Sequence, residues 1–130
     1  MVLADIARYG VVAFGLFLIL AGVWMLTRPT ACRAILAKMG STPLIHYGEH
    51  AVRALAGLCL IGAAEASKAP LILTVAGAFI VVSSIVIALA PRRWHAAYAI
   101  WWAERLPLMA YRALAPVSLI GGAALIWSVA

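Results

Sequence analysis

Val11-Val-Ala-Phe-Gly-Leu-Phe-Leu-Ile-Leu-Ala-Gly-Val-Trp-Met-Leu-Thr27 carries no ionisable group, and Arg8 and Arg28 flank it on either side. A helix needs roughly 20 mostly apolar residues to cross about 30 Å of hydrocarbon, and this stretch with its flanks meets that length. Two further runs read the same way: nothing ionises between Lys68 and Arg92, nor after Arg112 as far as Ala130. A fourth run, Pro43 to Ala66, is long enough but holds His46, Glu49, His50 and Arg53 in its first half and Glu65 at its end. It is read as a helix that starts in a polar interface. The expected fold is therefore an all-α integral membrane protein with four transmembrane helices.

The composition supports a bilayer setting. Hydrophobic residues make up 67% of the chain and charged residues 11%, and the mean hydropathy is +1.09. That leaves too little polar surface to keep separate molecules apart in water. A cleaved leader is not expected, because Asp5 and Arg8 cancel and the apolar stretch is longer than a signal core. Cys32 and Cys59 are too few for a disulfide framework and are read as free thiols.

Charge placement sets an orientation. Arg28, Arg33, Lys38 and Arg53 lie in or beside the first long connection, and Arg92, Arg93, Arg105 and Arg112 in or beside the second; together they are eight of the ten basic residues. Short cytoplasmic loops collect such residues, so both long connections should face the cytoplasm and both termini the outside. The net charge of +6 then reads as a topology signal and an attraction to anionic lipid. No module for reading nucleic acid is visible.

The chain also aligns with itself. Gly15-Leu-Phe17 matches Gly77-Ala-Phe79 and Pro29 matches Pro91 at one offset, while Arg53-Ala-Leu-Ala matches Arg112-Ala-Leu-Ala with a slightly shorter second loop. Two tandem helical hairpins are expected, residues 1–68 and 69–130, arranged as a parallel repeat within one membrane domain. Pro29 and Pro91 should end outgoing helices, Pro43, Pro70 and Pro107 should open helices, and Pro116 should bend the last one unless Ser118 compensates. Gly15, Gly22, Gly57, Gly62, Gly77, Ser84, Gly121 and Gly122 are read as points of close helix packing. The segment Arg92 to Arg105 places Trp94, Tyr98, Trp101 and Trp102 at helical spacing beside basic groups, which describes an amphipathic interfacial helix. Thr30 to Met39 is a weaker version.

Ala90-Pro-Arg-Arg-Trp94, Pro107, Arg112 and Leu125-Ile-Trp127 resemble the short two-helix bacterial inner-membrane proteins of the YjeT-like family. The resemblance covers residues 70 to 129 and, more faintly, 9 to 66. It implies a hairpin unit in a bacterial inner membrane, here present twice, and it supplies no activity.

His46-Tyr-Gly-Glu49-His50 matches H-x-x-E-H, the signature of inverzincin metallopeptidases. One helical turn separates the two imidazoles, so both could face one metal ion, with Glu49 placed to activate water. A third ligand would have to come from Glu104, His95 or Cys32. The competing reading pairs Glu49 with Arg53 at i, i+4 in an interfacial turn. Since no third ligand is evident from the chain, metal binding is expected to be weak or absent, and no cofactor is expected. Haem would need imidazoles on facing helices, and only His95 is available for that. Glu65 is expected to reach the outer interface beside Lys68. Arg53 and Arg112 recur at corresponding sites, and with Arg92, Arg93 and Trp94 they are expected to contact anionic headgroups. No nucleophile with its base and no phosphate loop occurs. The function expected from sequence is accordingly a non-enzymatic accessory or scaffold subunit of a membrane complex or homo-oligomer, with lipids as partners. A small transporter or handler of anionic lipid is the first alternative, and a metal-dependent membrane enzyme centred on His46, Glu49 and His50 the second.

Overall fold

A computed structural model describes residues 2–130 as six helices: α1 (Val2–Thr27), α2 (Pro29–Lys38), α3 (Pro43–Ala64), α4 (Pro70–Leu89), α5 (Arg92–Arg105) and α6 (Leu108–Val129). Pro29, Pro43 and Pro70 stand in the first turns of α2, α3 and α4, where a missing N–H costs nothing and a fixed φ suits the helix. Pro91 and Pro107 occupy the positions just before α5 and α6.

Three helices, α1, α4 and α6, are long and apolar enough to cross a membrane. Their large side chains point outward: Phe17 is 62% exposed, Phe79 70% and Ile120 69%. In water such a surface would aggregate; in hydrocarbon it is the solvated face. The expectation of four transmembrane helices is corrected here. α3 has the length of α6, but His46, Glu49, His50 and Arg53 crowd its first half and take it out of the class of apolar spans. The all-α architecture stands.

Helix packing crosses the two halves of the chain. α1 lies along α6, α3 along α4, and α1 also touches α3, whereas α4 and α6 do not form a packed pair. Glycine sets both main contacts. Gly15 and Gly122 face each other's carbonyl oxygens across α1 and α6, and a Cβ on Gly15 would meet Gly122 O at 2.7 Å. On Gly77 a Cβ would meet Gly57 O at 2.6 Å across α4 and α3. Backbones this close gain dispersion contacts that a larger residue would abolish. Gly121, by contrast, faces open space. Ser118 does not compensate for Pro116; its Oγ donates to Leu18 O on α1 at 2.6 Å.

Ala7, Val11, Leu60, Ala63, Ala64, Leu73 and Val129 form a core at the end that holds the start of α1, the end of α6 and the α3–α4 turn. Lys68 ties that end together, with its backbone N–H donating to Ser128 O at 2.8 Å and Nζ to Trp127 O and Ala130 O at 2.9 Å each. Glu65 is exposed there. The short helices α2 and α5 pack on each other at the opposite end, where Arg33 Nη2 donates to Leu106 O at 2.8 Å.

Candidate metal centre

The α2/α5 end brings together groups that lie far apart in sequence. Thr42 caps α3, its hydroxyl accepting the Ile45 N–H at 3.1 Å, which places His46 and His50 in the first turns of that helix. Both are buried, at 0% and 2% exposure. His95 arrives from α5, three residues after Arg92. Nη1 of Arg92 donates to Gly40 O at 3.1 Å and to Ser41 O at 2.7 Å, clamping the start of α5 onto the α2–α3 turn. Gly40 has φ 71°, the single left-handed residue among those described. A Cβ on it would lie 2.8 Å from His95 Nδ1 and 3.0 Å from Ala96 N. Glycine is therefore required twice, for the turn and for the approach of α5.

All three histidines of the chain meet in this place. One ring nitrogen from each of His46, His50 and His95 lies within 4.8 Å of the others, and the Nδ1 atoms of His46 and His95 are 3.0 Å apart. Their outer nitrogens face acceptors: His46 Nε2 is 3.4 Å from Ala88 O, and His95 Nε2 is 3.9 Å from Glu49 Oε2. At 3.0 Å one Nδ1–H can donate to the other Nδ1, and in the opposite tautomers both Nδ1 lone pairs are free for a metal ion. His50 adds two buried ring nitrogens with no hydrogen-bond partner, and Glu49 Oε2 is buried without one. A buried unsatisfied polar atom costs about 1–3 kcal/mol, so the cluster is poorly satisfied by protein groups alone.

The donor set suits a transition metal. Neutral imidazole is the binding form, and burial, reinforced by His95, His46 and Arg53, pushes His50 down to about 4. Burial also lowers His95; Glu49 opposes this, while His46 and Arg53 add to it. Two nitrogens on one tetrahedral zinc stand about 3.3 Å apart, from bonds of about 2.0–2.1 Å, so the 3.0 Å pair needs little adjustment, while separations of up to 4.8 Å within the group must close around the ion. The contact of His46 Nε2 with Ala88 O is of the kind that orients a metal-bound histidine, and Glu49 stands at ion-pair distance from His95 without hydrogen-bonding it.

The other residues singled out from sequence fall elsewhere. Cys32 is buried on α2, its thiol pushed up by burial, and Glu104 is exposed; neither belongs to the histidine group. Glu49 turns to His95 rather than to Arg53. Arg53 is half-buried, with Nη2 donating to Ser83 Oγ on α4 at 3.2 Å, while Arg112 is exposed on α6 and makes no side-chain hydrogen bond among the described residues. The two arginines do not share a site. Arg93 and Trp94 are exposed on α5, and Trp94 joins Tyr98, Trp101 and Trp102 in an open aromatic surface. Sequence reasoning passed over Gly40 and the clamping role of Arg92; the lone glycine before a capped helix start was the available signal.

The chain matches no family model, no curated protein and no solved structure.

Proposed function

We propose that this chain is a membrane-embedded metal protein that holds one divalent transition ion of the zinc class through His46, His50 and His95. The observation that carries this is the grouping of all three histidines, two of them buried, with one ring nitrogen of each within 4.8 Å of the others. Three nitrogen ligands leave a coordination position open, and such an ion supplies Lewis acidity and a bound water of lowered pKa. Glu49, half-buried on the same helix turn with Oε2 3.9 Å from the outer nitrogen of His95, would orient that ring toward a bound ion. The H-x-x-E-H string supports metal-assisted hydrolysis as the class of chemistry.

The metal end faces the cytoplasm of a bacterial inner membrane in this reading, because the basic residues gather there, and α5 lies in the headgroup layer with Arg93 and Trp94 against lipid. Duplication of a YjeT-like hairpin is supported by the packing, in which each long helix of one half pairs with a long helix of the other. An accessory role in a larger complex or homo-oligomer is compatible with a bound metal and explains no feature of the histidine cluster.

The test is zinc content and affinity of the purified protein, by elemental analysis and chelator competition. One zinc per chain, lost in His50→Ala with helicity retained, is the expected result. Substoichiometric zinc that His50→Ala leaves unchanged would overturn the proposal.

A further inference from the structure

Between α1 and α3 runs an apolar groove of about 320 Å³, floored by Gly10, Ala13 and Ala56 and walled by Phe14, Phe17 and Leu55. It extends from Gly10 to Phe17 along α1, about 10 Å at 1.5 Å per residue. Arg53 borders it with the carbon atoms of its side chain, and its guanidinium turns to α4 at the groove's edge. That guanidinium meets the neutral hydroxyl of Ser83, and among the described residues no carboxylate lies within ion-pair distance of it, since the one such contact is between Glu49 and His95. Ser83 stands six residues before Leu89, the last residue of α4, so Arg53 sits about 9 Å inside that helix end. A cation at that depth without an anionic partner is costly, and its remaining donors match the planar, bidentate geometry of a phosphate.

We infer that the groove holds an acyl chain of an anionic phospholipid whose phosphate is bound by Arg53. The occupant follows from the surroundings: α1 is long and apolar enough to cross a membrane, which makes acyl chains the solvent at the groove, and the lone cation at its rim selects the anionic members among them. Smallness of Ala13 and Ala56 provides the room, while Gly10 lets α1 approach α3 so closely that a Cβ there would collide with Cys59 Sγ. Arg112 is exposed and away from this groove, so it does not take part. The inference is independent of whether the histidines bind a metal.

Native mass spectrometry of delipidated protein, titrated with phosphatidylglycerol or phosphatidylcholine of the same chains, tests it. One phosphatidylglycerol should be retained per chain, on the order of tenfold better than phosphatidylcholine. Arg53→Gln should bring that ratio close to one, Ala13→Phe should suppress retention of both lipids by filling the groove from α1, and Arg112→Gln should leave both unchanged. Circular dichroism and gel filtration in detergent on the same samples report folding separately from lipid binding. Equal retention of the two lipids by the unaltered protein, an unchanged ratio in Arg53→Gln, or full retention by Ala13→Phe would overturn the inference.

Discussion

Replacing Gly40 by alanine probes the coupling between the turn and the histidine cluster. Gly40 has φ 71°, a region that costs an L-residue with a Cβ about 1–2 kcal/mol. The added carbon would stand 2.8 Å from His95 Nδ1 and 3.0 Å from Ala96 N, closer than van der Waals contact, and one of these neighbours is backbone. α5 must therefore shift by several tenths of an ångström, and metal sites tolerate only about 0.2 Å in ligand distance. Disturbing the groups that orient a metal-bound histidine typically costs 10- to 100-fold in affinity, and we expect a loss of that order for zinc together with about 1–2 kcal/mol of stability. Asparagine tolerates the left-handed region but carries the same Cβ, so Gly40→Asn should recover part of the stability and none of the affinity. Chelator competition for affinity and denaturant titration in detergent for stability measure the two effects. Wild-type zinc affinity in Gly40→Ala would refute the reasoning.

Arg92→Met removes two charge-assisted bonds to the α2–α3 turn at 3.1 and 2.7 Å; zinc affinity should fall and stability drop by on the order of 1 kcal/mol, read by the same two titrations. In the unfolded chain His50 takes up its proton near the ordinary value of 6.5, whereas folded it does so only near about 4. The unfolded state thus binds more protons in that window, and metal-free stability should fall as pH drops through it; a flat profile from pH 7 to 4 in the unaltered protein, or the same fall in His50→Gln, would contradict this. Gly77→Leu should separate α4 from α3, because even a Cβ would stand 2.6 Å from Gly57 O; loss of the folded band in native gels is expected, while Gly121→Leu, facing open space, should behave as wild type.

The spans were legible because freedom from charge over about 20 residues is a local property: the uncharged runs after Arg8, Lys68 and Arg112 coincide with α1, α4 and α6. α5 was legible from its aromatic spacing and its bounds at Arg92 and Arg105. α3 starts at Pro43 as its sequence predicts, but its length alone suggests a fourth span that the polar groups in its first half rule out. Those same groups build the site. His46, Glu49 and His50 could be grouped from one helical turn, yet the third ligand could not be chosen among Glu104, His95 and Cys32. That choice depends on how α5 docks on the α2–α3 turn, through the φ of Gly40 and the two carbonyls reached by Arg92, and neither is a periodic signal. Local spacing also misled at Glu49, where i, i+4 proximity to Arg53 lost to the imidazole of His95.

Zinc K-edge X-ray absorption on the purified protein tests the central claim most directly. Three imidazole nitrogens at about 2.0–2.1 Å with one or two light-atom ligands, and the loss of one imidazole in His95→Ala, are the result predicted here. A zinc shell containing sulfur, or an absence of imidazole scattering, would contradict it.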